Sequence, residues 1–193
     1  GYSVQPSDYD YCVNAGINVI PYYPRSDSDN TILSRLDEVH KRGIMVFIEL
    51  YGWLTAERKK HIVNLVKQHP AVFGFMLMDE PAANSADMDK IAATYKMVRN
   101  NDDVHPTYIV EAQTASSRYN EVAKYTDIFA VDPYPFGRSK AVNNPAKHVA
   151  LAKEATHNKK PIICINEIMT KVWRPTADDI RNMNYQALFA GAN

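Results

Sequence analysis

Short apolar runs alternate with helical patterns along this chain. Ile17-Asn18-Val19-Ile20, Ile44 to Ile48, Val72 to Met78, Thr107 to Val110, Ile128 to Val131 and Ile162 to Ile165 are each β-branched or aromatic-rich. Continuous apolar runs, rather than alternation, suit strands covered on both faces, as in parallel sheets. Between them, apolar residues recur at helical spacing: Ile32, Leu33, Leu36 and Val39; Ile62, Val63 and Val66; Met88, Ile91, Ala92, Tyr95 and Val98. Asn144-Pro145 reads as an N-cap followed by proline at the first helical position. Thr176 with Asp179 reads as a capping box ahead of Ile180, Met183 and Ala187. Residues 117–124 give the weakest helical pattern.

The strand starts are spaced by about 29 residues, the size of one βα unit. Eight such units need roughly 230 residues, close to the ~250 of a (β/α)8 barrel. Six are visible, so the expected fold is an α/β (β/α)8 TIM barrel that lacks its first and last strands, with residues 1–193 as one partial domain. A doubly wound sheet is the structural alternative, but no glycine-rich phosphate loop follows any strand.

Composition narrows the function classes. The 193 residues hold 22 basic and 22 acidic side chains, 46% hydrophobic and 23% charged residues. That balance suggests neither a nucleic-acid surface nor a polybasic membrane anchor. No apolar run approaches the ~18–20 residues that span a bilayer. The chain opens without a basic-then-apolar leader. Two cysteines are too few for a disulfide framework, and Cys12 and Cys164 read as small buried hydrophobes.

The candidate chemistry sits at the strand ends. In a (β/α)8 barrel the active site lies at the carboxyl ends of the strands. There the sequence places Glu49, Asp79 with Glu80, Glu111, Asp132, and Asn166 with Glu167. Five of six strands end in an acid, while the opposite connections (Lys41-Arg42-Gly43, Gln68-His69-Pro70-Ala71) are plain. Aromatic rings fall in the same loops: Trp53, Trp173, Tyr22, Tyr23, Tyr51, Tyr134 and Phe136. Rings beside carboxylates suit a sugar, whose C–H faces pack on π surfaces while its hydroxyls bond to the acids. Glycoside hydrolysis needs two carboxyl groups flanking the bond. Glu80 and Glu167 end strands three apart, the fourth and seventh once a first strand is restored, and so would face one another.

The segments Phe75-Met76-Leu77-Met78-Asp79-Glu80-Pro81 and Pro161-Ile162-Ile163-Cys164-Ile165-Asn166-Glu167 resemble the fourth- and seventh-strand segments of clan A glycoside hydrolases. Asp132-Pro133-Tyr134-Pro135 resembles the sixth-strand end of that clan. The resemblance implies a retaining mechanism in which Glu167 attacks, Glu80 donates and then accepts a proton, and Tyr134 orients Glu167. Asp79 departs from the pattern, since the clan usually has Asn there. An ionised Asp accepts from a sugar hydroxyl but cannot donate to it.

The expected ligand is a carbohydrate, bound by Asp79, Tyr134, Asp132, Glu49, Trp53, Glu111, Trp173 and Tyr22, with no cofactor, metal, nucleic acid or membrane partner. Export from the cell is expected, as for polymer-degrading enzymes. Two other readings use the same residues. One is a non-catalytic carbohydrate-binding barrel. The other is an enolase-like, metal-dependent lyase with Glu49, Glu80 and Glu111 as ligands, although no Lys or His ends a visible strand. The histidines His40, His61 and His69 and the run Glu57-Arg58-Lys59-Lys60-His61 read as solvated helix faces.

Overall fold

A computed structural model describes residues 4–52, 54–135, 143–166 and 174–193. Six strands appear among them: β1 (Val19–Tyr22), β2 (Met45–Glu49), β3 (Val72–Asp79), β4 (Thr107–Ala112), β5 (Ile128–Asp132) and β6 (Ile162–Cys164). The hydrogen-bonded order of the sheet follows the chain, β1-β2-β3-β4-β5-β6. The pairs β1–β2, β2–β3, β4–β5 and β5–β6 are parallel. Consecutive parallel neighbours joined by helices are the architecture of a (β/α)8 barrel, of which six strands are present here.

The chain folds as two compact units. The first comprises residues 1–78 and 89–107, the second residues 79–88 and 108–193. In the first, α1 (Tyr9–Asn14) precedes β1, α2 (Asp29–His40) follows it, α3 (Ala56–Val66) follows β2, and α4 (Met88–Asn101) runs toward β4. Ser28 and Thr55 cap α2 and α3 by accepting from the backbone N–H groups of Thr31 and Arg58. The expected stripes face inward: Ile32, Leu36 and Val39 on α2, and Ile62, Val63 and Val66 on α3, are all buried.

The run from Glu57 to His61 is not a purely solvated face. Arg58 bonds to Asp29 Oδ1 at 3.1 Å and His61 to Asp29 Oδ2 at 2.8 Å, which ties α3 to α2. Lys59 is half-buried against Thr94, and desolvation lowers its pKa.

Gly74 shows how closely β3 approaches its neighbour. A Cβ there would run into the Pro106 carbonyl oxygen and crowd Phe47. The next residue, Phe75, donates its N–H to that same oxygen at 2.9 Å, so the carbonyl cannot retreat without breaking the bond. Gly74→Ala is therefore expected to cost about 1–3 kcal/mol of stability, the range for overpacking a core. Urea unfolding would show it as a lower midpoint with an unchanged slope.

In the second unit every residue of β4 and β5 is buried, as continuous apolar runs require of strands covered on both faces. The weak helical pattern after β4 is a broken helix. Two 3-10 turns flank the single α-turn α5 (Tyr119–Val122), with a kink at Ala115. The next helix, α6 (Asn144–Ala155), begins at Asn144 itself, one residue earlier than the proline rule places it. It packs on β5, β6 and α7 (Ala177–Ala190). The Thr176–Asp179 capping box forms with both reciprocal bonds, and Gly191, at φ 94°, ends α7. Cys12 is buried, whereas Cys164 is only half-buried.

Candidate active site

The second unit gathers five of the expected site residues at the carboxyl ends of its strands. They are Asp79 and Glu80 at the end of β3, Glu111 near the end of β4, Asp132 at the end of β5, and Tyr134 two residues beyond.

Glu80 adopts a left-handed backbone, with φ 45°. Non-glycine residues avoid this region, and a strained residue persists only where its surroundings fix it. Here the fixing is specific. The Glu80 N–H donates to the Val110 carbonyl at 2.9 Å, which continues the sheet ladder one residue past β3. Its own carbonyl accepts from Asn84 N at 2.9 Å, and the Pro81 carbonyl accepts from Ala86 N at 2.8 Å. These bonds close a tight turn immediately after Glu80.

Glu111 holds that turn from beneath. It is fully buried, and both carboxyl oxygens are engaged by backbone amides. Ala82 N donates to Oε2 at 2.6 Å, while Ala83 N at 3.2 Å and Ala112 N at 2.9 Å donate to Oε1. Burial pushes the carboxyl above its ordinary range, the three amides pull it partly back, and the Glu80 charge pushes again. From its place at a strand end Glu111 is expected among the sugar contacts. Its oxygens instead bind the chain, and for the same reason they do not stand ready to ligate a metal as the enolase-like reading requires.

Tyr134 joins two acids. Its hydroxyl lies 2.6 Å from Asp132 Oδ2 and 3.2 Å from Glu80 Oε1. The resemblance pairs Tyr134 with Glu167, which lies outside the described residues; among the described residues the phenol's carboxyl partners are Asp132 and Glu80. Asp132 is 2% exposed, and its Oδ1 has no hydrogen-bond partner among the described residues. Burial pushes its carboxyl strongly upward, the Tyr134 bond lowers it in part, and the charges of Glu80 and Asp79 raise it again. Asp79 is likewise pushed up to about 6, by burial first and by Glu80 second. Its Oδ1 is buried without a described partner. Thus three carboxyl groups and a phenol converge, and burial disfavours the charged form of two of the acids.

The loop carrying Tyr134 is tethered as well. Gln113 donates to the Tyr134 carbonyl at 3.3 Å and accepts from Asn144 at 2.7 Å. Nothing in the local sequence marks Gln113 for this role, since both its partners are more than twenty residues away.

The remaining expected residues fall elsewhere. Glu49 is fully buried at the end of β2 in the first unit. Tyr22 is buried in the same unit, not open to a sugar. The Arg35 guanidinium lies over its ring at 5.3 Å, and its hydroxyl donates to Asp27 at 2.7 Å. The half-exposed rings nearby are Tyr23 and Tyr51, stacked 5.3 Å apart and within 6° of parallel. Glu167, Trp53 and Trp173 lie outside the described residues.

No family model and no curated protein matches the chain. Several solved structures do. A beta-D-glucuronidase of Dictyoglomus thermophilum is 19% identical, with a TM-score of 0.63 over 98% of this chain and 39% of its own. A beta-galactosidase from psychrophilic Marinomonas ef1 is 11% identical, with a TM-score of 0.75 over 99% of this chain and 51% of its own. A GH10 xylanase of Thermobacillus composti is 10% identical, with a TM-score of 0.65 over 96% of this chain and 76% of its own. The chain therefore spans about two fifths and one half of the length of the first two. At these identities the likeness is one of fold: the chain shares the β/α barrel on which these three glycosidases are built.

Proposed function

We propose that the chain belongs to a retaining glycoside hydrolase acting on an oligo- or polysaccharide, with Glu80 as general acid/base and Glu167 as nucleophile. The observation that carries this reading is the setting of Glu80. A strained backbone at a strand's carboxyl end presents its carboxyl to a phenol and two carboxyls held near neutrality. That is a site for keeping and moving a proton, on a fold shared with glycosidases.

The chemistry follows in two displacements. Glu167 attacks the anomeric carbon as the glycosidic bond breaks, and Glu80 gives its proton to the departing oxygen. Water then attacks the glycosyl-enzyme ester, Glu80 takes the water's proton, and the sugar leaves with retained configuration. Trp53 and Trp173 are the rings that would stack on the sugar. Asp79, protonated below about pH 6, can donate to a sugar hydroxyl as the usual Asn does. Export from the cell fits such a substrate.

Covalent trapping tests the proposal. Incubation with 2-deoxy-2-fluoro aryl β-glycosides of glucose, galactose, xylose and glucuronic acid should raise the protein mass by one glycosyl unit. Peptide mapping should place that unit on Glu167, and Glu167→Gln should stay unlabelled. Label on another residue would reassign the nucleophile. No label and no hydrolysis with any of the four would favour a carbohydrate-binding barrel without chemistry.

A further inference from the structure

Pro133 and Pro135 flank Tyr134, and both are buried. Neither ring has an N–H, so Tyr134 itself carries the one backbone donor of these three residues. Past β5 the segment cannot run on as an ordinary ladder, and what its carbonyls accept bears directly on where it lies.

Gln113 reaches one of those carbonyls. Its Nε2 donates to the Tyr134 carbonyl oxygen at 3.3 Å, and its Oε1 accepts from Asn144 Nδ2, in the first turn of α6, at 2.7 Å. A carbonyl can only accept, so the amide nitrogen must face Tyr134 and the amide oxygen is left for Asn144. Gln113 stands two residues after Glu111, whose carboxyl takes the amides of Ala82 and Ala83 and holds the turn after Glu80. One strand end, that of β4, thus reaches both sides of the 3.2 Å contact between Tyr134 and Glu80. Glu111 holds the backbone that carries the acid, and Gln113 holds the backbone that carries the phenol.

We propose that Gln113 is a positioning residue of the candidate site: anchored by Asn144, its amide fixes the Tyr134 backbone and so sets the phenol hydroxyl against the Glu80 and Asp132 carboxyls. Gln113 acts through Tyr134 and touches no reacting atom. The catalytic consequence rests on the acid/base reading of Glu80, whereas the positioning of Tyr134 does not. Gln113→Ala removes both bonds. Gln113→Glu keeps the shape and an acceptor for Asn144, but when ionised it turns an oxygen on the Tyr134 carbonyl. Once protonated, the introduced carboxyl can donate to that carbonyl again.

The bond is readable without any substrate. Tyr-Pro occurs at Tyr23-Pro24 and at Tyr134-Pro135. With carbon-13 in tyrosine carbonyls and nitrogen-15 in proline, these two carbonyls show a one-bond coupling, and Tyr134 is the one lost in Tyr134→Phe. Its resonance should move upfield in Gln113→Ala, as a carbonyl carbon does on losing a donor. In Gln113→Glu it should be displaced at neutral pH and return toward the wild-type position as the introduced carboxyl is protonated. With carbon-13 at tyrosine Cζ, the Tyr134 ring resonance should move in the same two variants. An unmoved carbonyl overturns the proposal, and so does a carbonyl that moves while the ring stays. Should Gln113→Ala fail to fold, the acid-side return in Gln113→Glu decides, and its absence overturns the proposal. With alkyl glycosides, kcat of Gln113→Ala should fall by up to about 10²-fold with KM little changed, the scale on which a displaced group costs rate. An unaltered kcat in a variant whose ring has moved overturns the positioning role. A protein that hydrolyses no glycoside yet shows both shifts refutes the glycosidase reading and leaves the placement of Tyr134 by Gln113 standing.

Discussion

Glu80→Gln is expected to slow hydrolysis of alkyl and sugar-leaving-group glycosides by about 10²–10⁴-fold, the range that general acid–base catalysis supplies. Gln matches the shape of the side chain and keeps an oxygen to accept from Tyr134, but it cannot give up a proton. The loss should depend on the leaving group. A dinitrophenolate departs without protonation, so formation of the glycosyl-enzyme should be nearly unimpaired with a dinitrophenyl glycoside. Its turnover then stalls at the second step, where water lacks a base. Azide, which attacks without needing one, should restore that step and release a β-glycosyl azide. Steady-state rates with the two kinds of leaving group, each with and without azide, check the whole pattern. An equal loss for both, unrelieved by azide, would mean that Glu80 positions the substrate and moves no proton.

The sequence exposes the strand ends and hides which way their acids turn. Apolar runs place β2, β3, β4 and β5 to within a residue or two, because continuous burial on both faces leaves a strong local signal. The helix start at Thr176 rests on a cap, which is also local, whereas the cap read at Asn144 falls one residue late. The roles of the acids rest on distant partners. Glu111 looks like any strand-end acid until the amides of Ala82 and Ala83, almost thirty residues earlier in the chain, close on it. Tyr134 meets Glu80 across 54 residues. Tyr22 and Tyr23 differ by a single step of the pleat, and β1 is too short for its pattern to fix which ring turns inward. The left-handed backbone at Glu80 has no sequence signature either, since conformational preference favours glycine, asparagine or aspartate there rather than glutamate.

That strained turn is why Glu111→Met should be the most destabilising single change in the second unit. Methionine fills nearly the same volume and accepts no strong hydrogen bond. It would strand the N–H groups of Ala82 and Ala112, which are buried, while the exposed Ala83 N–H can turn to water. Each buried amide left unsatisfied costs about 1–3 kcal/mol. Removal of a desolvated carboxylate returns part of that, so a net loss of about 2–4 kcal/mol is expected, against a total of about 5–15 kcal/mol for a domain. Glu111→Gln should lose less, because its one carbonyl oxygen still takes an amide. Stability against pH separates this account from a simple packing defect. Burial holds the Glu111 carboxyl above its ordinary value in the folded chain, so the folded state keeps that proton to higher pH than the unfolded state does. The stabilisation from this linkage is complete at pH below the ordinary glutamate range and is lost as pH rises through the raised value. Chemical denaturation across that window should show the decline in the wild type and not in Glu111→Met. An identical pH slope in both proteins would mean that Glu111 is not the titrating group, and that the turn after Glu80 is held by something other than its carboxylate.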